Sequence, residues 1–218
     1  MEKAIVSLSG GLDSATLLYW AVNRYEVTAI TFDYGSKHNT KELAAAEKLA
    51  KLTRVPHMLI RLPFVNDLFK SSLLKSGGEI PEGHYEDASM RSTVVPFRNG
   101  IMLSIAAGVA ESSDASTVLY AAHAGDHAIY PDCRPEFLKA MSDAAKSGTY
   151  NGVGIADPFV DLSKKDIVLL GRELGVPFDI TYSCYKGGDL HCGKCGTCVE
   201  RKEAFSAAGL TDPTSYSI

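Results

Sequence analysis

Short apolar runs alternate along the chain with amphipathic stretches. Ala4-Ile5-Val6-Ser7-Leu8 predicts a first strand, and polar residues 9–14 end it. Leu17, Leu18, Ala21 and Val22 then recur at helical spacing, predicting a helix that starts at Asp13 or Ser14. Residues 27–32 read as a second strand. A second helix follows, with Asn39 and Glu42 in a capping-box pattern, Leu43, Ala46 and Ala50 as its stripe, and Pro56 as its stop. Residues 57–62 predict a third strand and 65–75 a short helix. Residues 76–92 are polar and without period, a length that marks a lid, an interface segment or disorder. Helical spacing returns over 97–111, with Ile101, Ile105, Gly108 and Val109 on one side. A fourth strand is expected at 117–122, a helix at 136–146 and a glycine-rich loop at 151–162. Ser163 then caps a helix striped by Ile167, Leu170 and Leu174 and closed by Gly175 and Pro177.

Strands and helices alternating at this length predict an α/β fold, a doubly wound and mostly parallel Rossmann-like sheet with right-handed crossovers. Ligands in such sheets sit at the carboxyl ends of the strands. The polar turns 9–14, 33–38 and 122–127 all fall on that edge, so one shared site is the economical expectation.

Composition narrows the class. With 218 residues, 45% hydrophobic, and a formal charge of −4, the chain reads as an ordinary soluble domain without bulk affinity for nucleic acid. No apolar run approaches the ~18 residues of a membrane span, and the first residues enter a strand directly. A cytoplasmic location is therefore expected, with no membrane partner and no direct nucleic-acid partner.

The turn Leu8-Ser9-Gly10-Gly11-Leu12-Asp13-Ser14 lies between a strand and a helix, where glycines and free helix N–H groups make an anion site. The lysine of the common phosphate loop is missing, and nothing basic occurs between Lys3 and Arg24. Asp13 beside phosphates would be repelled unless it caps N–H groups or a divalent cation intervenes, so the turn reads as a magnesium-nucleotide loop of a different kind. Arg98 and Lys164 each sit in the first turn of a predicted helix, against the dipole. Either they are solvated or they meet an anionic ligand. Residues 130–137 crowd Tyr130, Asp132, Cys133, Arg134, Glu136 and Phe137 ahead of a helix with Pro135 at its first position. That cluster is either turn chemistry with an exposed ion pair or a pocket for a flat polar heterocycle.

Four of the five cysteines, Cys184, Cys192, Cys195 and Cys198, are spaced C-x7-C-x2-C-x2-C. Four thiolates with glycines between them suit a closed tetrahedral zinc site better than an iron–sulfur cluster or a redox pair. Such a site contributes ~10–16 kcal/mol of apparent binding energy, enough to order a peripheral knuckle.

Residues 9–14 resemble the signature loop of the N-type ATP pyrophosphatases, which split ATP to AMP and pyrophosphate while adenylating a substrate. Asp33-Tyr34-Gly35, Val95 to Asn99, Tyr130 to Phe137, Cys184 to Phe205 and Asp212-Pro213-Thr214 together resemble the QueC family within that group. The resemblance spans nearly the whole chain in order. It implies an adenine nucleotide alpha hydrolase-like domain over 1–178 and a small zinc-knuckle and helical appendage over 179–218. It also implies a ligase that turns 7-carboxy-7-deazaguanine, ammonia and ATP into a nitrile for queuosine or archaeosine, and a homodimer. By the same resemblance residues 8–14 hold ATP with Mg2+ at Asp13, and Arg98 and Lys164 neutralise departing pyrophosphate. Tyr130, Asp132, Arg134, Glu136 and Phe137 hold the deazaguanine, and the four cysteines hold structural Zn2+. Ser36-Lys37, residues 122–127 and Tyr182 depart from the family's common pattern. A tRNA-thiolating enzyme of the same superfamily and a non-catalytic zinc-knuckle nucleotide-binding module remain as alternatives.

Overall fold

In the computed structural model, residues 1–217 are described; the last residue of the expected 179–218 segment lies outside them. Five parallel strands form one sheet in the order β3-β2-β1-β4-β5: β1 (Lys3–Ser7), β2 (Glu26–Asp33), β3 (His57–Arg61), β4 (Thr117–Leu119) and β5 (Gly154–Ala156). The helices are α1 (Leu12–Ala21), α2 (Asn39–Thr53), α3 (Pro63–Leu68), α4 (Arg98–Ser112), α5 (Pro135–Gly148), α6 (Lys164–Glu173) and α7 (Gly196–Ala207). Alternation along β1 sends Ala4 and Val6 to one face and Ile5 to the other. Ala4 and Val6 pack with Leu17, Leu49, Ile167 and Phe205 of α1, α2, α6 and α7; Ile5 packs with Leu103 and Leu138 of α4 and α5. The strand order reverses direction at β1–β4, which opens a crevice above their carboxyl ends.

Several expectations shift. β5 lies inside the stretch read as a glycine-rich loop; with three residues it is too short to show a period. The buried face of α4 is Leu103, Ala106, Ala107 and Ala110, one position round from the expected stripe, and Gly108 is exposed. Small residues carry that face, so the larger Ile101, Ile105 and Val109 only flank it. Asn39 does not cap α2: His38 takes the cap position, and Asn39 Oδ1 turns back to accept Tyr34 N–H (3.3 Å) and the Ser36 hydroxyl (3.4 Å). The short third helix spans only Pro63–Leu68.

The 63–95 segment is tied down by its own polar groups. Lys37 Nζ donates to the carbonyls of Ser72 (2.9 Å), Gly77 (3.2 Å) and Gly78, and Ser72 N–H donates to Ser92 O (2.8 Å). The segment thereby buries Tyr85 and Met90. Residues 179–217 run across the same body. Tyr182 N–H donates to Gly10 O (2.9 Å), and the fully buried Arg201 donates to Asp212, Thr181, Ser183 and Phe178 O. Among the described residues no helix is long and apolar enough to cross a membrane.

Candidate active site

A cleft of about 200 Å³ opens at the carboxyl ends of the strands. At one end lies the 9–14 turn. Gly10 has φ +90°, and a Cβ there would stand 2.4 Å from Glu42 O and 2.9 Å from Ala46 N, so glycine alone lets the turn close onto α2. Ser14 Oγ accepts the N–H groups of Ser9 (3.1 Å) and Gly10 (3.2 Å) and donates to Gly11 O (3.1 Å). Gly11, at the cap position of α1, has no side chain to offer, which leaves the helix's first N–H groups for a ligand.

Lys164 reaches this turn from the first position of α6. Ser163 caps that helix in a reciprocal box with Asp166, so the lysine is fixed at its root. Its Nζ lies 2.7 Å from Asp13 Oδ2 and 3.2 Å from Glu200 Oε2, whereas neighbouring Lys165 is exposed. Burial pushes the Asp13 carboxyl up, but Lys164 and His123 outweigh it and hold it below the usual value. Glu200, on α7, is pushed up by burial against the same two groups. His123 accepts Gly125 N–H at Nδ1 (3.1 Å), which leaves Nε2 facing Glu200 Oε1 (3.4 Å) and Asp126 Oδ1 (3.5 Å). Asp13 Oδ1 and Glu200 Oε2 are buried and have no hydrogen-bond partner among the described residues, the lysine being out of line for the latter. Two orphaned carboxylate oxygens beside a turn with free helix N–H groups suit a hard divalent cation.

The other end is walled by tyrosines. Arg98 donates to Tyr34 OH (3.2 Å), Tyr85 OH donates to Asp126 Oδ1 (2.7 Å), and Tyr130 OH pairs with Thr93 (2.8 Å) and Tyr185 OH (3.2 Å). Cys133 lies between Tyr120 OH (3.4 Å) and Asn99 Nδ2 (3.3 Å), and burial pushes its thiol up. Of the residues expected to hold a heterocycle, only Tyr130 lines the cleft. Asp132 is buried behind it, where its carboxylate caps α4 by accepting Asn99 N–H (2.9 Å). Arg134 donates to His127 O (3.0 Å). Glu136 is exposed in the first turn of α5, and Phe137 meets Phe97 edge-on at 5.8 Å. The reason is the turn at Pro131–Cys133: it directs Tyr130 inward and starts α5 pointing away.

The sulfur atoms of Cys184, Cys192, Cys195 and Cys198 all lie within 4.8 Å of one another. Backbone N–H groups of Cys192, Lys194 and Cys195 point at Cys184 and Cys192 sulfurs (3.3–3.4 Å), as thiolate ligands require. Cys195 caps α7 and Cys198 lies in its first turn, so this cluster sets the helix that delivers Glu200. Glu200, Asp126, His123, His38 and Glu42 receive no chemical role from the sequence. His38 and Glu42 are an i, i+4 pair and Glu200 lies five residues past Cys195, signals that a capping-box reading and a metal reading each mask.

A parallel sheet of this order, with a serine–glycine turn at its switch point and a lysine–carboxylate pair above it, defines a doubly wound, Rossmann-like α/β domain. The structure is similar to an NH3-dependent NAD synthetase from Campylobacter jejuni (TM-score 0.50, 17% identity, 82% of this chain and 66% of that one). It is also similar to an NMN synthetase from Francisella tularensis (TM-score 0.53, 17% identity, 96% and 78%). The family model described as "Queuosine biosynthesis protein QueC" matches residues 3–209, and the chain belongs to that family. Relatives named 7-cyano-7-deazaguanine synthase include those of Porphyromonas gingivalis (53% identical over 216 residues, 99% of this chain and 97% of that one) and Desulfotalea psychrophila (52% over 219, all of both). Another, from Methanoregula boonei, is 51% identical over 215 residues, covering 98% and 99%.

Proposed function

We propose that the chain is an ATP-dependent ligase converting 7-carboxy-7-deazaguanine and ammonia to 7-cyano-7-deazaguanine. The observation that carries this reading is one continuous cleft joining a phosphate-binding turn to a polar aromatic wall. A carboxylate is a poor electrophile. Held with its acid toward the 9–14 turn, it attacks the α-phosphorus of ATP to give an acyl adenylate, and ammonia displaces AMP to give the amide. A second adenylation, on the amide oxygen, precedes loss of AMP to the nitrile. The first-turn N–H groups of α1 cradle phosphate. Lys164, released from Asp13, and Arg98 then neutralise the departing pyrophosphate, the charge that such a transfer most needs stabilised. Asp13 and Glu200 would hold Mg2+, which supplies charge neutralisation across the phosphates.

Tyr130, Tyr34 and Tyr185 suit a flat heterocycle. Asp132 and Arg134 act behind them by fixing Asn99 and the 127–134 turn, and Glu136 and Phe137 have no contact with the cleft. The four cysteines would hold Zn2+ with no open position for chemistry. A cytoplasmic homodimer is the family's expectation for the assembly. The thiolation alternative is disfavoured by Cys133, whose buried thiol is held protonated and so cannot carry sulfur readily. Incubation with the carboxy-deazaguanine, ammonium and MgATP tests the reading: mass spectrometry should find the nitrile with AMP and pyrophosphate. Thiolated tRNA without nitrile, or no ATP turnover, would overturn it.

A further inference from the structure

Between the phosphate-binding turn and the tyrosine wall, the cleft is lined by two side chains that the roles above leave unused, His38 and Glu42. They are one helical turn apart and share a face of α2. His38 is 3% exposed. Its Nδ1 lies 3.3 Å from Tyr185 O, which can only accept, so Nδ1 carries the ring hydrogen and Nε2 presents a lone pair. That Nε2 lies 3.4 Å from Glu42 Oε2. Burial pushes the Glu42 carboxyl up to about 8, against the opposing pull of Arg98, and pushes His38 down to about 4, with Arg98 reinforcing the effect. Near neutral pH the two are thus an uncharged acid facing an uncharged imidazole. The contact that excludes a side chain from Gly10 is with the carbonyl of Glu42 itself, so the pair is fixed to the nucleotide turn rather than to a separate wall.

The reaction proposed above, on which this inference rests, strips all three hydrogens from nitrogen. Lys164 and Arg98 are cations and can accept none of them. We infer that the His38–Glu42 pair is the proton acceptor for the reacting nitrogen. In the first round the ammonia lone pair forms the C–N bond, the C–O bond to AMP breaks with its electrons on AMP, and one N–H proton passes to His38 Nε2. In the second round the amide oxygen bonds the α-phosphorus of ATP and pyrophosphate leaves. The two N–H bonding pairs are then retained on nitrogen and carbon as the nitrile closes, the C–O bond breaks to AMP, and two protons leave. The Glu42 carboxyl, which is 20% exposed, first releases its own proton to solvent and frees Nε2; each proton is then taken at Nε2 and carried out through the resulting carboxylate. No oxidant or reductant is needed.

Because dehydration sheds two protons and amidation one, removing the relay should slow the second round more. Glu42→Gln and His38→Gln are assayed with the carboxy-deazaguanine, ammonium and MgATP, following pyrophosphate, amide and nitrile separately. Expected is nitrile formation reduced about 10²-fold, the usual worth of general acid–base help, with amide accumulating and acid-dependent pyrophosphate release changed less than tenfold. A nitrile-to-amide ratio equal to wild type, or equal losses in pyrophosphate, amide and nitrile, overturns the inference. If His38→Gln does not fold, Glu42→Gln decides alone, since glutamine keeps the shape and a donor toward Nε2. Wild-type enzyme forming neither amide nor nitrile would instead overturn the synthase reading.

Discussion

Lys164→Met isolates the charge on which the nucleotide end depends. The lysine is 16% exposed and the only cation bonded to Asp13 (2.7 Å) among the described residues; Glu200, 3.2 Å away, also relies on it. Methionine keeps most of the volume but leaves two largely buried carboxylates without their shared cation. Breaking a buried pair from one side costs about 3–5 kcal/mol, discounted here toward the lower figure because the cleft admits water. The cost must depend on pH. In wild type Asp13 is held below its ordinary value, so its contribution is present above that value and lost as pH falls through the depressed one. Without the lysine only His123 opposes burial, both carboxyls rise, and protonation relieves the variant as pH falls. Urea unfolding should therefore show a deficit of about 3 kcal/mol at pH 8 that narrows by at least half at pH 5.5. Pyrophosphate release at pH 8 should fall about 10²–10³-fold, the loss typical of one oxyanion-stabilising donor. Millimolar Mg2+ should raise the variant's melting temperature more than that of wild type, since it replaces the missing positive charge. A deficit independent of pH, or turnover within threefold of wild type, would refute the reasoning.

Gly10→Ala should destabilise by at least about 2 kcal/mol, from left-handed strain plus the contact with Glu42 O, and should weaken ATP binding in titration calorimetry. Arg201→Met strips three polar partners and the partly buried Asp212 of their common donor, so chemical denaturation should show a loss of about 3 kcal/mol. Removal of the metal by a thiol-reactive mercurial and chelator should release one equivalent per chain. It should also lower helical circular dichroism and abolish nucleotide binding, because α7 begins on Cys195 and carries Glu200.

What the sequence discloses and what it hides divide along physical lines. The turn 9–14 is legible because strand, glycines and helix start are contiguous, and their local chemistry alone forms an anion site. The cysteine cluster is legible for the same reason: fifteen residues contain every ligand. Ser163 and Pro135 stand at the helix starts their types predict. The tyrosine-walled end is different, because Tyr34, Tyr85, Tyr130 and Tyr185 come from four separate segments and line one cleft only when the sheet and the 63–95 segment are in place. A dense local cluster such as 130–137 looks like a pocket in the sequence. A single proline-led turn nevertheless puts Tyr130 and Cys133 on the cleft, buries Asp132 behind it and leaves Glu136 exposed.

Glu200 shows why a modular reading of the last forty residues loses chemistry. Read along the chain, it belongs to a metal knuckle; in space it completes the carboxylate group around Lys164 and His123. The residues bonded to it come from β4's trailing turn and from α6, over thirty residues away at the nearest. The knuckle is therefore coupled to the nucleotide turn in both directions. Cys195 sets the start of α7 and so the reach of Glu200, while Tyr182, just before Cys184, donates back to Gly10 O (2.9 Å). A cysteine cluster placed so ties the start of α7 to the 9–14 turn, and a change at either is felt at the other.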